Sequence, residues 1–408
     1  MTKGIDMATA RAGKAYGISG EHAGLKSRIP FPRDIAPYAV FIGLALVWGT
    51  FQVLNENFLS PRNLSNLTLQ TAVLGTISVG MVMVLILGEI DLSVGAIAGV
   101  SAGVLALTST NFGAPAWVAI LAAIAVGAVI GLIQSAAITG IGIPSFIATL
   151  AGLLVWQGVQ LIIVGSNGQI ALTDPFLKAI ASTYLSPIAG WTLAVAGIAV
   201  MVGWRLASRA SRVRGGLTVR SAGSETAIIA AASVLVLVAT WLLNGYFGIP
   251  VVLVLLIGLV AIMSFVMTMT PFGRHVYAIG GNREAARRAG IRVPLVTISV
   301  FVTIAVIAAG AGIVEASREF SASSALGGGT LQLNAIAAAV IGGTSLFGGR
   351  GKIYHALIGA LVVGSVENGL DLLGQPAAIQ SITTGIILAL AVSVDAISRR
   401  RSAARGGR

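Results

Sequence analysis

Twelve runs of apolar residues follow one another through this 408-residue chain, near 36–54, 64–88, 92–109, 115–138, 144–164, 186–205, 226–244, 249–270, 295–315, 332–348, 353–372 and 377–397. A bilayer core of about 30 Å needs about 20 such residues per helix. The expected fold class is therefore an all-α polytopic membrane protein with about twelve transmembrane helices, ten at the fewest. Only 10% of the residues are charged, where a soluble domain carries roughly 25%. A chain so poor in charge could not cover a water-facing surface, which excludes a cytosolic enzyme, a disordered chain and a nucleic-acid binder. Cysteine is absent, so disulfides, thiolate metal sites and cysteine nucleophiles are excluded too. No metal site and no catalytic residue are expected.

The sparse charge is lopsided, with 26 Lys and Arg against 14 Asp and Glu. Cytoplasmic loops of membrane proteins collect Lys and Arg. With twelve spans and a cytoplasmic N-terminus, every cation except Arg62, Lys178 and Arg318 falls on the inner side. Both termini are then cytoplasmic. The expected organisation is a basic cytoplasmic tail over 1–35, a transmembrane domain over 36–397 and a second basic cytoplasmic tail over 398–408. The first apolar run is followed by Asn55-Glu56-Asn57 rather than a small-residue cleavage site, so it is expected to stay as an anchor. No stretch fits a soluble domain that could hydrolyse ATP, so an energy source is expected on another chain.

Glycines recur at four-residue spacing, as Gly95, Gly99 and Gly103 and as Gly127 and Gly131. Small residues on one helix face let backbones approach closely in lipid, and bundle packing alone accounts for them. Two stretches echo each other as G-x-x-x-L-x-x-G, residues 88–95 and 342–349. The echo suggests duplicated halves, as many transporters have.

Glu89 and Asp91 stand in a stretch without a single cation, between Arg62 and Lys178. An acid at the bilayer centre costs at least about 2.5–3.5 kcal/mol, so the two either sit at an interface or line a polar cavity. Asp91 also has the position of an N-cap for a helix starting at Leu92. Glu367, Asn368 and Asp371 form a second polar patch, and Glu315 and Glu319 read as solvated anchors near the outer face. The candidates for a translocation pathway or gate are Glu89, Asp91, Ser93, Gly95, Thr344, Ser345, Glu367 and Asn368.

The 271–294 loop carries the sharpest pattern. Asn282 is a suitable N-cap, Glu284 sits in the first turn, and Arg287 and Arg288 sit in the last, which complements the helix dipole. Gly290 suits the position just past the helix end. Ala285, Ala286 and Ala289 would give this short helix a smooth apolar face for docking on another protein, or for resting on lipid. Gly280 and Gly281 would let it swing.

These residues resemble a known family. Glu284-Ala285-Ala286 followed by Gly290 is similar to the E-A-A-x-x-x-G loop of ABC-importer permeases. Glu89-Ile90-Asp91-Leu92-Ser93-Val94-Gly95 resembles the signature of the ribose/xylose/arabinose class, as do the segments 278–282 and 340–346. The long chain, the extra pair of spans around 205–220 and Glu367-Asn368-Gly369 look most like the xylose-transporting branch. The I-x-L-P ending of the E-A-A pattern is absent, so the loop is expected to dock in its own way.

The resemblance implies a multi-pass inner-membrane permease that acts as a homodimer. A periplasmic sugar-binding protein would hand it a monosaccharide, D-xylose or a related pentose. A cytoplasmic ATPase with tandem nucleotide-binding domains would hold ATP and Mg, with no cofactor on this chain. Its coupling contact would be Gly280, Gly281, Asn282, Glu284, Ala285, Ala286 and Gly290. The rival readings are a permease for another small solute (ribose, arabinose, galactose, a signal molecule or a branched-chain amino acid) and an ion-coupled secondary transporter.

Overall fold

The computed structural model describes residues 39–219 and 221–406; the tail expected over 1–35 lies outside the described residues. The chain opens with α1 (Ala39–Leu54), α2 (Pro61–Leu87) and α3 (Val94–Ala106), which widens into a π-helical turn over Leu107–Asn111. Then come α4 (Ala116–Ala136), ending in a second π-helical turn over Ala137–Ile141, and α5 (Ser145–Val164). The middle contains β1 (Gln169–Ala171), α6 (Pro175–Ser182), β2 (Tyr184–Leu185), α7 (Pro187–Arg214), α8 (Ala222–Asn244), β3 (Ile249–Pro250) and α9 (Val251–Met269). Next are α10 (Pro271–Gly281), α11 (Arg283–Arg288), α12 (Val293–Glu319) and β4 (Ser321–Ser323). The chain closes with α13 (Leu331–Ile341), α14 (Tyr354–Leu372) and α15 (Ala377–Gly406).

Several of these helices start where the sequence says they should. Ser60-Pro61, Asp174-Pro175, Ser186-Pro187 and Thr270-Pro271 each place a capping side chain before a proline. The side chain satisfies an orphan N–H, and the proline needs no partner there. The strands form two short antiparallel ladders between helix ends, β1 with β4 and β2 with β3.

Each of the twelve apolar runs contains a helix. Among the described residues eight helical segments are long and apolar enough to cross a membrane: α2, α3 and α4 with their π-helical turns, α5, α7, α8, α9 and α12. The run at 332–348 is helical only over the 11 residues of α13, about 16 Å at 1.5 Å per residue. That is too short to span. The chain leaves the helix at Gly342, and Gly343, Gly348, Gly349 and Gly351 all take positive φ, which side chains strongly disfavour.

α12 is the hub, packed against α2, α3 and α4. Gly127 and Gly131 of α4 make that packing close: a Cβ on either would come within 2.7 Å of an alanine Cβ of α12. Such approach is what small residues provide where lipid removes most of the hydrophobic drive. α13 closes on α14 in the same way, since a Cβ on Gly359 would overlap the Ala338 carbonyl. By contrast, α7 and α8 expose Trp204, Val234, Leu235 and Trp241. They stand at the periphery, joined near their ends by the Arg205–Glu225 ion pair at 2.7 Å.

Candidate functional site

The residues singled out in the sequence separate into two regions. α2 starts at one and ends at the other, and α12 runs back between them.

At the C-terminal end of α2, backbone meets backbone. Gly88 ends the helix in the left-handed conformation at φ 85°, with its N–H returned to Leu85. The Ile86 carbonyl accepts the N–H of Gly349 at 2.8 Å. Gly280 of α10 lies against that same carbonyl so closely that a Cβ would overlap it. A Cβ on Gly348 would come within 2.7 Å of the Gly280 carbonyl oxygen and 3.0 Å of Gly88 Cα. The Tyr277 hydroxyl donates to the Gly351 carbonyl at 2.8 Å. The motifs at 88–95 and 278–282 and the glycine turn at 348–351, just past the 340–346 motif, therefore meet at one glycine-built contact. The echo between 88–95 and 342–349 is one of sequence and not of backbone. Gly88 is left-handed where Gly342 is right-handed, and Gly95 is helical where Gly349 has φ 70°.

α11 has the caps read from the sequence. The Asn282 side chain accepts from the Ala285 N–H at 2.9 Å, and Gly290 follows the helix at φ 85°. Arg287 and Arg288 both pair with Glu284 and hold its carboxyl below the usual carboxylate range. Two expectations change. Ala286 is buried against this chain's own core, so only Ala285 and Ala289 of the alanine face are exposed. Gly280 is a fixed contact within α10 and not a swivel; Gly281 alone has open space around it. α11 is also tied down by Arg283, which bonds Glu89 at 2.5 Å.

The segment 88–93 is non-helical, and most of its polar groups are answered, partly within the segment and partly by neighbouring helices, while Asp91 Oδ2 has no partner. Asp91 is fully buried and its carboxylate accepts from the Ser93 N–H at 2.8 Å and the Ser93 hydroxyl at 2.6 Å. The expectation that Asp91 caps a helix beginning at Leu92 is thus corrected. α3 begins at Val94, and Asp91 closes an Asx-type turn one step earlier. Neighbouring helices supply the remaining partners. Ser145 and Thr149 of α5 accept from Ile90 and Leu92, and Gln134 of α4 bonds Ser93. Irregular backbone inside a membrane protein survives only when its polar groups are answered in this way. One turn on, Gly95 presses against the Gly327 carbonyl and the Gln332 side chain. Thr344 and Ser345 are buried within the 342–353 turn, where the Ser345 N–H bonds the Arg350 carbonyl and its hydroxyl accepts from Phe347.

Glu367 and Asn368 lie far from that contact. Asn368 accepts from Asn63 at 2.7 Å and donates to Gln70 at 3.1 Å, both at the start of α2. Asn63 and Ile86 are 23 positions apart on one helix, about 35 Å. Glu367 pairs with Asn334 of α13. Glu315 and Glu319, expected to be solvated anchors, instead clasp Arg318 at 2.9 and 3.4 Å. Together they line a cavity of about 220 Å³ that also includes Thr330, Asn334 and Glu367. A second cavity of about 470 Å³ is lined by Arg318 with Asn63, Asn66, Gln70, Asn368 and Asp371.

The profile of the family described as branched-chain amino acid transport system / permease component matches residues 63–392. The chain belongs to this permease family. It is 38% identical to the xylose transport system permease protein of Escherichia coli over 391 residues, 95% of this chain and 97% of that protein. It is 38% identical to the corresponding Haemophilus influenzae protein over 90% of this chain and 98% of that one. The ribose import permease protein of Bacillus subtilis is 34% identical over 93% and 97%. No solved structure matches. The protein is a transporter subunit and not an enzyme, a multi-pass permease of the inner membrane, and ATP hydrolysis in such systems lies on a separate subunit.

Sequence reasoning missed several cleft residues of this permease. Asn334, Asn63, Gln70 and Arg318 each look like a stray polar residue when read alone. A signal existed in the spacing. Asn63, Asn66 and Gln70 follow the i, i+3, i+7 rhythm of one helix face, and Glu315 and Glu319 stand four apart.

Proposed function

We propose that this permease carries a monosaccharide, D-xylose or a related pentose, as the membrane subunit of an ABC importer. It works as a pair of copies. A periplasmic binding protein delivers the sugar, and a cytoplasmic ATPase with tandem nucleotide-binding domains holds ATP and Mg. The chain crosses the membrane twelve times with both termini in the cytoplasm, counting α13 and the turn after it as one incomplete crossing.

The observation that supports this reading best is the reach of the segment 88–95. At Gly88 and Glu89 it touches α10 and α11 through Gly280 and Arg283. At Gly95 it touches Gly327, which lines the polar cavity. Closure of the ATPase would push on Gly280, Gly281, Asn282, Glu284, Ala285, Ala286 and Gly290. Close backbone contact at Gly88 and Gly95, with the Glu89–Arg283 ion pair beside the first, then carries the push along Glu89, Asp91, Ser93 and Gly95. Thr344 and Ser345 brace the facing turn, and Glu367 and Asn368 face the cargo at the opposite end. A neutral polyol needs no counter-ion, which agrees with the thin charge inventory of the spans.

Reconstitution in proteoliposomes with the ATPase and the binding protein tests the proposal. Uptake of labelled D-xylose is expected to require ATP and to exceed uptake of ribose and leucine. Glu284→Arg is expected to lower uptake at least tenfold and to loosen co-purification of the ATPase. Its melting temperature should hardly change, because Glu284 and its arginines are solvent-exposed and such pairs stabilise little. Uptake that follows an ion gradient without ATP, or normal coupling in Glu284→Arg, would sink the reading.

A further inference from the structure

The mechanism above needs a place for the cargo, and the richest unassigned feature is the cavity at the junction of α12, α13 and α14. Its walls come from Glu315 and Glu319 at the end of α12, Thr330 and Asn334 around the start of α13, and Glu367 late in α14. The loop from Ser323 to Gly328 closes it, and Gly327 takes a left-handed φ of 72°. Asn334 is 2% exposed, and its Oδ1 has no hydrogen-bond partner. Leaving a buried acceptor unpaired is unfavourable, so its retention beside the cavity points to a group that pairs with it.

What would satisfy it follows from the donors and acceptors present. Arg318 neutralises much of the charge of Glu315 and Glu319. The Asn334 amide N–H is spent on Glu367, so the pair presents acceptors, the second carboxylate oxygen and the amide oxygen, with the Thr330 hydroxyl beside them. Among the described residues no three acidic or histidine side chains converge to hold a metal ion, so a cation is a poor match. A neighbouring pair of hydroxyls, each able to donate and accept, fits. No aromatic ring lines the cavity, so it lacks the stacking surface common in tight small-molecule sites. Weak binding suits a cargo that must leave again.

We propose that this cavity is the site where the permease receives its sugar on the side away from the ATPase, with Glu367 and Asn334 hydrogen-bonding vicinal hydroxyls. Arg318, which lines the second cavity, pairs with two residues of this one, Glu315 and Glu319. This inference rests on the function proposed above. It adds the residues of the cargo site and a direct link from them, through Gly327 and Gly95, to the segment that meets the coupling helices.

The test measures D-xylose moved per ATP hydrolysed in the reconstituted importer. Two variants probe the site from different directions. Glu367→Gln changes the hydrogen-bonding character at constant shape. Ala325→Trp, at an exposed position on the cavity wall, fills the space without touching the buried pairs. Both are expected to lower the ratio at least tenfold while the binding protein still stimulates ATP hydrolysis. Wild-type ratios in Ala325→Trp overturn the proposal, whether or not Glu367→Gln folds. Wild-type protein that moves no monosaccharide with ATP overturns the functional reading, and this site falls with it.

Discussion

Ile86 and Asn63 sit on the same helix, and their surroundings differ in kind. Around Ile86, carbonyls and amides of three separate segments touch with no room for a Cβ at Gly280. Around Asn63, amide side chains bridge α2 and α14 beside open cavities. The first arrangement is stiff, because backbone atoms cannot change rotamer. The second can exchange its partners, because every bond in it is made by a side chain. The contrast suits a device that takes force at one end and releases a cargo at the other.

The contrast can be broken most severely at Gly280. Gly280→Ala forces the Ile86 carbonyl, the Gly349 amide or α10 itself to move. Overpacking of this kind costs about 1–3 kcal/mol. Transport is expected to be abolished, with a clear drop in melting temperature. Gly281→Ala, one residue on and in open space, is the control for stability and should keep the wild-type melting temperature. Equal behaviour of the two alanines would show that the contact is not rigid.

Asp91 comes next. Asp91→Ala strips the Ser93 N–H of its acceptor and leaves the Ser93 hydroxyl only Gln134, at a cost of about 1–3 kcal/mol for a buried group left unpaired. Thermal unfolding should register it, and uptake should fall several-fold. Asp91→Asn keeps an acceptor oxygen for both bonds and should recover most of the stability. Were Asp91→Asn as damaging as Asp91→Ala, the carboxylate charge and not the turn would be what matters.

The smallest effect belongs to the Glu89–Arg283 pair. Arg283 is half-exposed at 54%, and partly exposed pairs contribute about 0.2–1 kcal/mol. Glu89→Arg or Arg283→Glu alone should leave stability nearly unchanged and lower ATP-driven uptake about two- to fivefold, because the pair ties α11 to the 88–95 segment without bearing much stability. The double swap should restore uptake. Failure of the swap to restore it would separate α11 from that segment.

Some of this architecture was legible along the chain because the physics that sets it is local. An apolar run of spanning length has few choices in lipid except a helix, and α2, α4, α9 and α12 sit where the runs are. The caps of α11 are local as well, since Asn282 and Gly290 act within one turn of their own backbone. The Asp91 assignment failed for an equally local reason. A carboxylate can bond an N–H two residues ahead whether or not a helix follows, and the helix here starts at Val94. The early end of α13 was foreshadowed by its glycines, but their positive φ values were not.

The sequence by itself determined that this chain is a bundle of apolar helices with its cations gathered in a few connecting segments, because hydrocarbon forbids unpaired backbone and repels charge. It also determined where α11 begins and ends. Only the tertiary structure decided that Gly88, Gly280 and Gly348 share one contact, that Ala286 faces inward, and that Glu315, Glu319, Asn334 and Glu367 surround one cavity. Those facts depend on which helix faces are brought together, and residues up to 260 positions apart carry no local sign of meeting.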